Sequence, residues 1–153
     1  MNEEIMKSLI DICFKAKHIT EMMPELPHGM KPRHIHVIES IYRIGKHQND
    51  VRISDVSQNL SVTMPSITKL VNELVTLKLV RKSADIKDKR VTTLTLTPQG
   101  MNYYDIYIKK YYTKLASMCN ISESDIKIVG NAIDQLLHAV NITKKEQFLK
   151  ELN

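Results

Sequence analysis

Small hydroxyl residues and a lysine lie close together in the middle of the sequence, between Thr63 and Lys69. Further along, Asp88 and Arg90 stand two residues apart in a short charged stretch. Hydroxyl and basic side chains hydrogen-bond to phosphates and base edges, and an aspartate at this spacing can orient a neighbouring arginine. These residue types favour recognition of a polyanion over bond-making chemistry.

The charge of the chain is concentrated in the same region. The net charge is +5, yet residues 31–100 hold 12 Lys/Arg against 6 Asp/Glu, and the rest of the chain holds 10 against 11. The positive excess therefore lies wholly in the middle of the chain. A local basic surface is typical of proteins that bind nucleic acid, although many solvated surfaces are mildly basic.

Other residues capable of chemistry do not form a recognisable site. His34 and His36 are two apart and would point to different sides of a helix, so we expect solvated or partly packed histidines and no metal site. Cys13 and Cys119 make neither a disulfide framework nor a metal knuckle. The sequence has no Gly-rich phosphate loop, nucleophile elbow or zincin motif. We therefore predict that the chain is not an enzyme and that it has neither catalytic residues nor a cofactor.

The sequence also predicts a compartment. No window approaches the roughly 18 to 20 apolar residues of a membrane span. The first residues are acidic and charged throughout, unlike a secretory signal. We expect no membrane partner, reduced cysteines and a cytoplasmic location.

The elements that must position the polar residues follow from apolar spacing. Helices are predicted over 3–23 and 33–45, with a proline-rich loop between them and a short extended piece at 51–53. A compact pair of helices comes next, the first capped by Ser54. The second begins at the N-cap Thr63, with Pro65 in its first turn, and runs to about Leu77. Its inward stripe is Ile67, Leu70, Val71, Leu74 and Leu77, and its opposite face carries Ser66, Thr68, Lys69, Asn72 and Glu73.

The pattern then changes to alternation. Strands are predicted at 80–84 and 91–96, joined by a charged turn into a basic hairpin. Thr97-Pro98 begins a helix over 98–118 that holds five of the six tyrosines. A capping box, Ser122-x-x-Asp125, opens a long helix, and a final piece follows a second possible cap, Thr143-x-x-Glu146. The long helix carries a 3-4 spaced apolar seam formed by Ile126, Val129, Ile133, Leu136 and Val140.

Helix, short turn, amphipathic helix and basic hairpin form the order of a winged helix-turn-helix. Such a helix fits the major groove of B-DNA, and a basic hairpin tip can reach phosphates or the minor groove. We predict a mainly α fold with a small β wing, in which a winged helix-turn-helix is flanked by dimerising helices. The chain is predicted to be a single domain, 1–153, with a DNA reader at 33–97 and a helical dimerisation region at 1–30 and 98–153.

The stretch ISDVSQNLSVTMPSITKLVNELVTLKLVRKSADIKDKRVTTLTLTPQG, residues 53–100, resembles the DNA-binding core of the MarR family of transcriptional regulators. The likeness is carried by the small polar entry at 63–68 with Lys69, by 77–80, and above all by the wing Asp85-x-x-Asp88-x-Arg90 followed by the string at 94–100. The family usually has a basic residue where this chain has Met64 and often arginine where Lys69 stands. These departures leave the fold unaffected but make the operator sequence unpredictable.

The resemblance implies a homodimeric transcriptional repressor that binds a pseudo-palindromic operator in double-stranded DNA. It also implies that a small-molecule effector releases the repressor from the operator. The predicted DNA-binding residues are Thr63, Met64, Pro65, Ser66, Thr68, Lys69, Asn72, Asp88, Lys89 and Arg90. Two alternatives stay open. A winged-helix module that binds only protein would more typically lack the wing arginine and the local positive charge, and the terminal helices could pack within one chain instead of dimerising.

Two weaker hypotheses concern small molecules. Tyr104, Tyr107 and Tyr111 share one helical face, where a small aromatic or lipophilic effector could bind, although such a stripe also suits interface packing. Cys13 resembles the position of the sensing cysteine in peroxide-responsive members of the family. The tyrosines that surround that cysteine are not evident at 30–38, so a buried structural cysteine is the alternative.

Overall fold

The computed structural model describes residues 3–22, 24–85 and 88–151 of the 153-residue chain. Four residues with a predicted place lie outside the described residues. They are Met23 of the first helix face, Ile86 and Lys87 of the wing turn, and Leu152 of the C-terminal piece. The elements follow in the order α1 (Glu3–Glu21), α2 (Pro32–Gly45), β1 (Val51–Arg52), α3 (Ile53–Leu60), α4 (Met64–Thr76), β2 (Val80–Ala84), β3 (Thr92–Leu96), α5 (Pro98–Tyr104), a π-helical turn (Asp105–Lys109), α6 (Lys110–Met118) and α7 (Glu123–Glu151).

A three-stranded antiparallel sheet packs beside helices α2, α3 and α4. Its strand order is β1-β3-β2, with Val51 opposite Leu94 and Val80 opposite Leu96. The hydrogen-bonded pair β2 and β3 forms the predicted hairpin. The fold is therefore mainly helical with a small β wing, as the sequence predicted.

One apolar core lies under the reader segment, the predicted range 33–97. The inward residues of α2 and the stripe of α4 meet there with Val51 of β1, Val80 of β2 and Leu94 of β3, because each element carries apolar side chains at its own period. The buried apolar residues are Ile35, Val37, Ile38, Ile41, Val51, Val56, Ile67, Val71, Leu74, Leu79, Val80, Leu94 and Ile108.

A tight turn joins α3 to α4. Ser61 adopts a left-handed conformation with φ 51°, and the Val62 N–H donates to the Ser57 carbonyl at 3.1 Å. The hydroxyl of Ser57 returns a bond to the Val62 carbonyl at 2.6 Å. The predicted cap of α3 at Ser54 was wrong: α3 begins at Ile53, and the Asp55 carboxylate accepts the Arg52 N–H at 2.8 Å.

The start of α5 fastens this helix to the end of α4. The Thr97 hydroxyl accepts the Gly100 N–H at 3.0 Å and donates to the Lys78 carbonyl at 2.7 Å, which confirms Thr97 as the N-cap. A Cβ at Gly100 would lie only 2.1 Å from the Leu79 carbonyl oxygen. Only glycine lets the two backbones approach this closely.

The two C-terminal helical segments differ in detail from the prediction. The run at 98–118 is helical throughout but contains the π turn at Asp105–Lys109. The capping box is confirmed, since Ser122 and Asp125 exchange backbone bonds of 2.9 and 3.2 Å. The predicted second cap at Thr143 was wrong, because its hydroxyl donates to the Ala139 carbonyl at 3.0 Å inside one long α7.

The chain divides into two compact units, Met1–Lys114 and Leu115–Asn153. The first unit contains α1, the winged segment and α5, and the second contains α7. Across the described ranges, none of the helices combines the length and the apolar character needed to cross a membrane.

Candidate nucleic-acid interface

Helix α4 is held from below by its apolar stripe. Ile67, Val71 and Leu74 are completely buried, and Leu70 and Leu77 are half-buried. Thr63 occupies the N-cap position with extended backbone, and Pro65 lies in the first turn. The proline suits this place because the first N–H groups of a helix have no partner within it. The opposite face of α4 is therefore presented to solvent.

An open groove runs along the exposed face of α4. It is lined by Met64, Pro65, Thr68, Lys69, Asn72, Glu73 and Thr76, so five of the predicted DNA-binding residues lie together. The Thr68 hydroxyl is turned back to the Met64 carbonyl at 2.8 Å. Met64, at the position where the family usually has a basic residue, is 45% exposed.

The two remaining predicted residues of the helix lie at its N-terminal edge. The Thr63 hydroxyl donates to Ser66 Oγ at 3.0 Å. Both residues line a separate cleft with the end of α1 and the start of α2. The start of α4 thus exposes two hydroxyl groups beside the groove, at the end of the helix that usually enters the major groove.

Lys82 extends the polar surface from the wing, and the sequence analysis missed it. The Lys82 ammonium of β2 donates a hydrogen bond to Asn72 Oδ1 on α4. The alternation of the strand is the signal that could have found it, since Lys82 is two residues from Val80 on the face toward α4. The contact places a cation next to the groove and orients the Asn72 amide.

The wing tip is built around Asp88 and Arg90. The Arg90 side chain donates to the Asp88 carboxylate through Nε at 3.1 Å and through Nη2 at 3.3 Å, and the Arg90 backbone N–H donates at 3.0 Å. The hydrogen bonding from the Arg90 side chain, followed by that from its backbone N–H, lowers the pKa of Asp88 below its usual range. The Arg90 side chain is 91% exposed, and Lys89 beside it is also exposed. Asp88 therefore orients an arginine that projects into solvent.

A buried carboxylate supports this tip from below. Asp85 is 6% exposed and accepts the Asp88 N–H at 3.2 Å. Its other oxygen lies 3.5 Å from Nη2 of Arg52 in β1. Asp85 was predicted only as part of the wing motif, although aspartate side chains commonly accept a backbone N–H shortly after them in turns. Asp85 thus joins the first strand to the wing.

The two histidines have separate environments. Among the described residues there is no group of three or more side chains suited to a metal ion. His36 Nε2 lies 2.8 Å from the Thr20 carbonyl oxygen. His34 is only 1% exposed, and its Nε2 lies 2.7 Å from Glu73 Oε2. The expectation of a solvated or partly packed side chain was therefore wrong for His34. Glu73 lines the groove on the exposed face of α4, but its carboxylate is turned toward α2.

The tyrosines proposed as an effector wall contact different partners. Tyr104 stacks on Tyr42 with ring centroids 3.7 Å apart, and burial raises the pKa of Tyr104. Tyr107 tilts against Tyr103 at 5.4 Å. The Tyr111 hydroxyl donates to the Met22 carbonyl at 3.3 Å. The π turn between Tyr104 and Tyr111 shifts their relative direction from that of a regular α-helix.

Tyr112, which follows Tyr111, and Cys13 have environments of their own. The Tyr112 hydroxyl donates to Glu39 Oε2 at 3.0 Å, and burial first, then the Glu39 carboxylate, raises the pKa of Tyr112 to about 12. Cys13 is half-buried on α1. Its redox role stays a prediction.

The arrangement defines a class of protein. A short helix, a tight turn and a helix with a buried stripe and a polar exposed face are followed by a hairpin with an exposed arginine at its tip. This is a winged helix-turn-helix.

Comparisons with known proteins agree with this class. Residues 28–91 match the sequence profile of the MarR family. The uncharacterized HTH-type transcriptional regulator SAV2265 of Staphylococcus aureus strain Mu50 is 28% identical over 96 residues, which cover 61% of this chain and 65% of that protein. The chain thus spans slightly less than two thirds of the length of this relative.

Two further similarities extend over almost the whole chain. The HTH-type transcriptional regulator MhqR of Bacillus subtilis strain 168 is 22% identical over 149 residues, 95% of this chain and 97% of that protein. The crystal structure of Streptococcus pneumoniae FabT in complex with DNA shares the fold with a TM-score of 0.61 and 24% identity, covering 99% of each chain. These comparisons show that residues 28–91 are similar to the MarR family and that both of these relatives are described as HTH-type transcriptional regulators.

Proposed function

We propose that this chain is a cytoplasmic, homodimeric transcriptional repressor that binds a pseudo-palindromic operator in double-stranded DNA and is released by a small aromatic or lipophilic effector. The observation that carries DNA binding is the pairing of an anchored α4, with Lys69 and Asn72 in its exposed groove, and a wing tip with Arg90 almost fully exposed. Lys69 and the hydroxyl groups would contact bases and phosphates in the major groove, and Arg90 would reach the minor groove or adjacent phosphates.

Dimerisation is supported by apolar surface that one chain leaves open. In α1, Ile5, Ile12 and Ile19 are 55%, 51% and 65% exposed. In α7, Ile126 and Val129 of the predicted seam are 60% and 54% exposed. Exposed apolar side chains that share one face of a helix usually mark an interaction surface. The regions 1–30 and 98–153 would thus join two readers, whose half-sites would lie about one helical turn, roughly 34–36 Å, apart.

Release by an effector rests on the tyrosines of 98–118 and the family resemblance. Tyr104, Tyr107 and Tyr111 are half-buried, so each offers an aromatic face that a ligand could contact. A ligand that favoured a different spacing of the two readers would lower operator affinity, and a coupling of about 1–3 kcal/mol would be enough.

The test is selection of duplexes from a random pool by the purified chain, followed by anisotropy titrations of the recovered duplex and of a scrambled one. We expect an inverted repeat with tighter binding than the scrambled duplex. Equal affinity for both would reduce the function to non-specific DNA binding, and no binding at low salt would leave a protein-interaction module instead. Effector release is tested by titrating phenolic compounds into the complex of the wild-type chain and of a Tyr107→Phe, Tyr111→Leu variant, which should respond less.

A further inference from the structure

A buried histidine links the beginning of α2 to helix α4. Nδ1 of His34 accepts the backbone N–H of Lys31 at 3.1 Å. Because Nδ1 is an acceptor, the neutral ring carries its proton on Nε2, which donates to Glu73 Oε2 at 2.7 Å. The Lys31 ammonium donates to the same oxygen at 3.0 Å. Two donors from α2 and its N-cap therefore hold one carboxylate oxygen of α4.

The held carboxylate stands at the edge of the proposed DNA surface. Glu73 lies one helical turn after Lys69 and lines the same groove. A carboxylate turned outward there would repel phosphates. The side chain is instead only 28% exposed, and the hydrogen bond from Lys31, followed by that from His34, lowers the pKa of Glu73. The negative charge is thereby kept and directed toward α2.

We propose that His34 and Lys31 are positioning residues for DNA recognition: through Glu73 they fix the rotation of α4 on α2 and keep its carboxylate off the DNA face. The proposal rests on the proposed function, in which α4 reads DNA. The apolar stripe of α4 tolerates small rotations because dispersion contacts have no direction, whereas hydrogen bonds weaken steeply when misaligned. The polar link is therefore the feature that can define the angle at which Lys69 and Asn72 are presented.

The test compares His34→Leu, which fills a similar volume without a donor, with His34→Gln, whose amide can donate from the position of Nε2. The probes are the duplex recovered by the wild-type chain and its scrambled version, titrated well below each unfolding midpoint. We expect H34L to lower the ratio of the two affinities about tenfold, comparable with the loss of one good base contact, and H34Q to restore most of it. His47→Leu, in the exposed turn after α2, is the matched control and should leave the ratio unchanged.

A double-mutant cycle tests whether the effect passes through Glu73. Glu73→Gln removes a negative charge and should raise affinity for both duplexes while lowering their ratio. Adding H34L to this variant should change the ratio little, because the two side chains act as one unit. Lys31→Met, at an exposed position, provides a variant that folds even where H34L does not, and it should also lower the ratio.

The outcomes separate this inference from the proposed function. A wild-type chain that recovers no sequence and binds no duplex overturns both. A wild-type chain that selects an operator, combined with H34L and K31M variants that melt earlier but keep the wild-type ratio, overturns only the positioning role. If H34L lowers the ratio of the two affinities equally in the wild-type chain and in the Glu73→Gln variant, the positioning role is also refuted.

Discussion

Removal of the wing arginine has an effect that the structure allows to be estimated. In the Arg90→Ala variant, the guanidinium that donates twice to Asp88 is lost. A guanidinium has five N–H groups, so those not directed at Asp88 remain for DNA. The side chain is 91% exposed, and its loss should leave the unfolding midpoint near that of the wild type. The change therefore isolates the wing contact from the stability of the fold.

The expected size follows from counterion release. Each neutralised phosphate contributes about 0.9 to the slope of log K against log salt, so two wings in a dimer would contribute about 1.8. Between 50 and 150 mM salt, the wild-type chain should thus lose about sevenfold more affinity than R90A. The variant also leaves the Asp88 carboxylate without the charge of the arginine at the wing tip, since only the backbone N–H of residue 90 still donates to it, and this should weaken binding further at low salt.

The assay is an anisotropy titration of the recovered duplex at a series of salt concentrations. Arg43→Ala is the matched control, since Arg43 is an exposed arginine in the last turn of α2 and its loss changes the net charge equally. A parallel slope for R90A and wild type would refute the reasoning. A slope that falls equally in R43A would show that net charge, not the wing contact, is responsible.

Four other predictions follow from the same contacts. Lys69→Ala should weaken operator binding without lowering the melting temperature, because Lys69 is exposed opposite the buried stripe; early unfolding would contradict this facing. Because the pKa of Glu73 is lowered, its carboxylate stabilises the fold above its ordinary pKa of 4.5, and this contribution is lost as pH falls through the lowered value. Acid titration should therefore show a smaller loss of folding stability for E73Q than for the wild type. Val129→Asp should convert a dimer to the 17.6 kDa monomer in sedimentation, and an unchanged dimer would exclude the α7 seam. Gly100→Ala should lower the midpoint markedly, because its Cβ would overlap the Leu79 carbonyl.

The reader was predictable because its signals are local. The N-cap Thr63, the proline two residues later and the 3-4 spacing of the stripe locate α4 within one residue of its observed end. The alternation and the charged turn likewise located both hairpin strands. Each of these features depends on neighbours in the sequence, which is why pattern alone sufficed.

The features that were missed have no signal in the spacing or types of neighbouring residues. His34 and Glu73 are 39 residues apart in sequence, so no local periodicity reveals that the His34 ring is buried against α4. The π turn of 105–109 similarly has no composition signal, and it redirects the tyrosines that a regular helix would have aligned. The long-range bond between His34 and Glu73 and the local π turn are therefore features that periodicity could not supply.

The distribution of apolar surface connects assembly to DNA recognition. The stripe of α4 is buried within one chain, whereas α1 and α7 keep isoleucine and valine side chains more than half exposed. Burying them between two copies would favour a dimer, because it would remove apolar surface from water. The same contact would set the distance between two readers, and the pitch of B-DNA fixes the distance they must match. A ligand or substitution that changes how these helices meet would then alter operator affinity without touching α4 or the wing, which is the simplest physical route from an effector to release.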